Sequence, residues 1–243
     1  MPEGPSIVIA KEAMLPFIGK KVMTATGNAK IDMSLIHGQT VSDIRSWGKH
    51  LIICFKPFSL RIHFLMFGTY LINEQKEKSL RLSLKFKKGE INFYTCSVMM
   101  ITGPLDNQYD FSADVLNASW NARKAGQKLK EDPSRSVCDV LLDQQIFSGV
   151  GNIIKNEVLF RIRVHPKSVI GKLPPKQKSA LIREARKYSF DFLKWKRNYE
   201  LRKHWLIYTK KTCPRDHSPV KKEYLGKGKR RTFFCDKCQV LYS

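Results

Sequence analysis

The hydrophobic rhythm of this chain changes once, and that change limits the fold more than any other feature. Up to about residue 102 the apolar residues alternate or fall in short runs. Examples are Leu80-Arg81-Leu82-Ser83-Leu84-Lys85-Phe86, Leu51-Ile52-Ile53-Cys54-Phe55 and Ile91-Asn92-Phe93-Tyr94. A period of two places one face of a strand on a core. Polar turns such as Lys87-Lys88-Gly89-Glu90 separate the runs, and several strands at short spacing suggest an antiparallel sandwich. Across residues 137–145, 153–162 and 174–204 the apolar spacing is helical instead. Strands first and helices after predict an α+β chain with the two kinds of element segregated.

A helix is also expected at the front, over residues 6–18, with Ile7, Ala10, Met14 and Ile18 on one face and Gly19 as its stop. The domain plan that follows is a sandwich with its helix over 1–115, a polar linker over 116–133, a helical domain over 134–205 and a hairpin over 206–243.

Charge narrows the partner. The 243 residues carry 44 Lys plus Arg against 21 Asp plus Glu, a net charge of +23, which implies a polyanion. No apolar run approaches the roughly 18 residues of a spanning helix. A secretory signal with a basic start and apolar core is also absent, so a cytoplasmic location, bacterial by default, is expected. With 42% hydrophobic residues, the chain can bury cores and is no disordered basic tail.

Cys54, Cys96 and Cys138 stand in apolar stretches and read as buried thiols. The other three cysteines cluster. Cys213 and His217 are separated by seventeen residues from Cys235 and Cys238, a spacing that suits one tetrahedral structural zinc with three thiolates and an imidazole. An Asp or water in place of His217 stays open. A metal site fits a reducing compartment better than a disulfide framework does. The insert carries Lys221, Lys222, Lys227, Lys229, Arg230 and Arg231; it suits phosphate contact, with a solvated basic face as the alternative.

Two further motifs carry chemistry. The chain opens Met1-Pro2-Glu3-Gly4-Pro5. With Met1 removed, Pro2 presents a secondary amine that can form an iminium with a sugar aldehyde carbon, and the Glu3 carboxyl stands beside it to move protons. An exposed Pro-Gly turn is the plain alternative. Further on, Gly149-Val150-Gly151 forms a tight turn ahead of a helix that starts at Asn152. This puts the Gly151 backbone and the Asn152 amide at a positive helix end, suited to a phosphate; an ordinary helix–turn–helix joint has the same pattern.

In combination and in this order, the Pro2-Glu3-Gly4-Pro5 start, the Gly48-Lys49 pair, segment 63–68, the turn 149–152 and the terminal cysteine hairpin resemble the formamidopyrimidine-DNA glycosylase and endonuclease VIII family. The resemblance implies an N-terminal β-sandwich, a helix-two-turn-helix domain and a zinc finger, acting on damaged double-stranded DNA as a monomer. It implies a bifunctional glycosylase and abasic-site lyase of base-excision repair. Pro2 then attacks C1′, Glu3 serves as general acid/base, and Lys49, Gly151, Asn152 and Arg230 meet phosphates. Met66, within Leu65-Met66-Phe67, fills the space of the flipped base; as apolar residues of a hairpin, these three are core residues in the plain reading.

The chain departs from the family in places. Ser6 stands where relatives place a glutamate, the first ligand pair is Cys-x₃-His, and Arg231 replaces a small residue. It also lacks an Arg-Arg-Phe-Gly segment, and residues 153–212 leave little room for a long lesion-covering loop. Both features point to the endonuclease VIII branch and to oxidised pyrimidines, with bubble or single-stranded DNA as further substrates. A catalytically inactive DNA-binding module and a basic zinc-ribbon RNA-binding protein are the rival readings.

Overall fold

The computed structural model describes residues 2–243, which divide into two compact units at Tyr109/Asp110.

The first unit begins with helix α1 (Gly4–Met14), whose Pro5 sits in the first turn, where a missing N–H costs nothing. Ile7, Ala10 and Met14 face inward. The helix is shorter than its apolar spacing predicts. Pro16 has no N–H to donate to a residue one turn back, so the chain tightens into a 3₁₀ turn at Leu15–Phe17. Eight strands follow: β1 (Val22–Thr26), β2 (Asp43–Trp47), β3 (His50–Cys54), β4 (Ser59–His63), β5 (Thr69–Ile72), β6 (Leu80–Phe86), β7 (Glu90–Tyr94) and β8 (Ser97–Ile101). They form two antiparallel sheets, ordered β1-β6-β7-β5 and β2-β3-β4-β8. One core joins α1 to both sheets through residues such as Met14, Leu51, Leu60, Leu84 and Phe93.

The second unit holds α2 (Ala122–Glu131), α3 (Val137–Leu142), α4 (Asn152–Arg161), α5 (Pro175–Arg197) and a hairpin of β9 (Lys221–Leu225) and β10 (Arg230–Phe234). The stretch 116–133, a linker by its polarity, thus contains a helix packed on α5. The Asn121 side chain caps α2 by accepting from Lys124 N–H. Only Ala125 and Leu129 of α2 are buried. Two apolar residues one turn apart suffice for a helix laid on a larger one, and they leave the segment polar in composition. The core of this unit collects Val140, Phe147, Ile154, Leu181 and Tyr188. Among the described residues no helix is long and apolar enough to cross a membrane.

Candidate nucleic-acid interface and metal centre

Within the first unit, Glu3 is the N-cap residue of α1 and is fully buried, while Pro2 beside it is half-buried. Met1 lies outside the described residues. α1 rests on β2 and β3, and Gly48 and Lys49 make the two-residue turn between those strands, with Trp47 paired to His50. Gly48 adopts φ 53°, the conformation a tight hairpin asks of its first turn residue. Lys49 is half-buried and close enough to His50 and His63 to bias both electrostatically. The two imidazoles face each other across β3 and β4 with ring centroids 5.4 Å apart. Burial first, then Arg61, His63 and Lys49, holds the His50 imidazole down at about 4. Burial also lowers His63, with Lys49 and Arg61 adding to the effect. Both rings are therefore neutral at pH 7, and the positive charge here belongs to Lys49 and Arg61.

Neutral His63 has a structural consequence. Its Nδ1 accepts the Leu65 N–H at 3.1 Å and so holds the start of the loop that carries Leu65, Met66 and Phe67. Gly68 closes that loop through a 2.7 Å bond to the Phe64 carbonyl. A Cβ at Gly68 would lie 2.2 Å from the same oxygen, so only glycine fits. Leu65 and Met66 are 50% exposed and Phe67 74%. Three consecutive exposed apolar side chains are not core residues, and such a patch marks a contact surface.

In the second unit, the turn before α4 is organised by Gln144. Its Oε1 accepts the Gly149 N–H, and its amide donates to the carbonyls of Leu142 and Val150. Gly149 adopts φ 95°, and Gly151 is the N-cap of α4. Asn152 begins the helix and is buried. Its Nδ2 donates to the Arg231 carbonyl at 2.9 Å, and its Oδ1 has no partner among the described residues. The amide predicted to face a phosphate is thus also a clamp on β10. Asn156 Oδ1 accepts the Phe233 N–H at 2.6 Å, and the buried Lys155 Nζ donates to Thr232 Oγ1 at 2.7 Å. Arg230, the first residue of β10, is half-exposed and next to this clamp.

Cys213, Asp216, Cys235 and Cys238 place their ligand atoms within 4.8 Å of one another. The Sγ atoms of Cys213 and Cys238 are 3.8 Å apart, close to the ~3.8 Å edge of a tetrahedron with Zn–S of about 2.3 Å. The donor set and its spacing fit a tetrahedral metal. Burial pushes the Cys238 thiol up to about 12 and raises Cys213 as well, so a cation is what would stabilise the thiolates. His217 corrects the sequence expectation: it is exposed, sits at φ 59° and lies outside the group. The reason is local. The turn carries Asp216 inward, where Ser218 hydrogen bonds hold its carboxyl well below the usual carboxylate range. The spacing Cys213-x₂-Asp216, identical to Cys235-x₂-Cys238, was the available signal.

Sequence reasoning missed Glu157. It is fully buried and accepts backbone N–H groups from Leu206, Ile207 and Tyr208 at 2.9–3.0 Å. A single carboxylate thereby anchors the segment that leads into the cysteine cluster. Nothing in the local sequence distinguishes it from a surface helical glutamate.

The formamidopyrimidine-DNA glycosylase N-terminal domain matches residues 1–97, and the H2TH domain of the same enzyme matches residues 111–188. Endonuclease 8-like 3 of Mus musculus is 33% identical over 217 residues, covering 85% of this chain and 36% of that protein. Endonuclease 8-like 2 of Mus musculus is 33% identical over 200 residues, 76% of this chain and 59% of that protein. The chain therefore spans about a third of the length of the first of these relatives and under two thirds of the second. The fold matches that of Lactococcus lactis formamidopyrimidine DNA glycosylase, solved non-covalently bound to AP-site-containing DNA, with a TM-score of 0.85. That match covers 98% of this chain and 99% of the other at 21% identity. From both domain matches and the shared fold, the chain belongs to the formamidopyrimidine-DNA glycosylase and endonuclease VIII family.

Proposed function

We propose that this chain is a DNA glycosylase with abasic-site lyase activity that acts on oxidised pyrimidines in DNA. The observation that carries this reading is Glu3, an acid with no exposed surface placed next to Pro2. An acid held beside a secondary amine is placed to move the protons that opening a sugar requires. Once Met1 is removed, the Pro2 nitrogen attacks C1′, a C–N bond forms as the glycosidic bond breaks, and the base leaves protonated. Protonation of O4′ by Glu3 then breaks the C1′–O4′ bond and gives an open-chain iminium, which acidifies the adjacent C2′, and successive β- and δ-elimination expel the 3′ and 5′ phosphates. Glu3 moves protons at the sugar. Lys49 holds a phosphate beside the lesion, as do the Gly151 N–H, Asn152 and Arg230. Met66, exposed on its braced loop, fills the vacated stack.

A zinc ion held by Cys213, Cys235, Cys238 and Asp216 would fix the hairpin that carries Arg230; its role is structural. The pyrimidine preference is supported by the course of residues 162–212, where α5 and the 3₁₀ turn Leu201–His204 take up much of the connection. Incision of a duplex with one thymine glycol tests the reading. The expected product is a gap with phosphate at both ends, formed faster than on 8-oxoguanine. An intact strand on both lesions and on a bare abasic site would overturn it.

A further inference from the structure

Helix α5 has more apolar surface than its core uses. Leu181, Ala185, Tyr188 and Phe192 face inward, but Ile182 and Phe190 fall on a different face, two turns apart. Together with Trp120, just before α2, they floor a groove of about 730 Å³ between α2 and α5. Phe190 is 42% exposed. Every charged residue lining the groove is a cation: Arg123, Arg183, Arg186 and Lys187. Two of them are engaged. The Arg186 guanidinium lies 5.3 Å over the Phe190 ring and donates to the Asn117 carbonyl, and Lys187 pairs with Asp191 at 2.6 Å. Arg123 and Arg183 are exposed, and among the described residues they have no side-chain partner.

We propose that this groove docks an acidic amphipathic helix of a partner protein. The apolar face of such a helix would lie on Trp120, Ile182 and Phe190, with its flanking carboxylates on Arg123 and Arg183. Charge complementarity selects an acidic occupant, and the apolar floor selects a peptide over a nucleic-acid strand. A strand needs a run of phosphate contacts and open ring faces for its bases. Here two arginines are uncommitted, Trp120 is packed 5.9 Å from Phe147, and Phe190 is already capped by Arg186. None of these residues belongs to the phosphate-facing turn, the hairpin or the first unit, so docking here is independent of the proposed chemistry.

The test is fluorescence anisotropy of the whole chain with a synthetic helical peptide of Glu, Leu and Phe. A Glu-only peptide of equal charge and an oligo-dT strand serve as comparators. The expected result is binding of the amphipathic peptide about tenfold tighter than of the Glu-only peptide. That margin disappears in Phe190→Ser and in Arg123→Glu/Arg183→Glu, while binding of a lesion duplex and the melting curve stay unchanged. An equal response to both peptides overturns the proposal, as does a margin kept by both variants. Loss of oligo-dT binding in the variants, with no peptide margin, would make the groove a nucleic-acid site instead.

Discussion

The sandwich core is apolar and draws on α1 and both sheets, whereas the cluster beneath the hairpin buries Phe160, Ile207, Phe233 and two cysteines. Around the hairpin, polar and charged groups take over. Asn152, Lys155 and Asn156 tie α4 to β10, Glu157 holds the segment 206–208, and four metal-type donors converge behind them. Apolar burial is non-directional, and its loss scales with the area removed. A directional network fails wherever one member is removed. The sandwich and the hairpin region should therefore respond to mutation in different ways.

The largest effect is expected at the cysteines. Cys235→Ser should release the metal, unfold the hairpin and abolish DNA binding, while the sandwich retains its own transition; metal analysis and a melting curve check this together. In the same assay Asp216→Ala should lower metal content, and His217→Ala should leave it unchanged. Leu60→Ala comes next. It should cost about 3 kcal/mol through lost burial and a residual cavity, seen as a lower denaturant midpoint with full metal content. Glu157→Gln should cost about 2 kcal/mol, because the Leu206–Tyr208 N–H groups lose a charged acceptor. Its mark is faster amide exchange at those residues.

A more gradual effect, of similar size, is a pH dependence in the sandwich. The unfolded His50 imidazole titrates near 6.5 and the folded one near 4, so the unfolded state takes up the proton first. Stability is full above about pH 6.5 and falls as the pH drops from 6.5 to 4, by on the order of 2 kcal/mol. A His50→Phe variant should flatten that segment of a urea-midpoint profile; an unchanged slope would place the cause elsewhere.

The same contrast explains what the sequence made legible. Strand β6 shows in its alternation, and β3 and β7 in their apolar runs, because a sheet face on a core imposes that rhythm. The end of α1 followed from Pro16 rather than from the apolar spacing that continues to Ile18. Helix α2 was hidden because two buried residues leave no visible stripe. Asp216 stood second to the neighbouring imidazole, the better-known zinc ligand, with an Asp left open in that place. Glu157 and Lys155 are buried charges whose partners lie roughly fifty to eighty residues away in sequence, and no local pattern encodes such a pairing. The exposure of residues 65–67, by contrast, rests on a His63 acceptor and a glycine, both plain in the sequence once the loop is seen.

The central claim is that Pro2 is the nucleophile, and borohydride reduction tests it most directly. The protein, with its N-terminal mass measured, is mixed with a thymine-glycol duplex and reduced, alongside a Pro2→Gly variant. The account predicts a chain lacking Met1 that becomes covalently joined to DNA through its first peptide, with the adduct sharply reduced in the variant. Tight binding with no adduct on this lesion, on 8-oxoguanine or on an abasic site would contradict it and leave a DNA-binding module of the same fold.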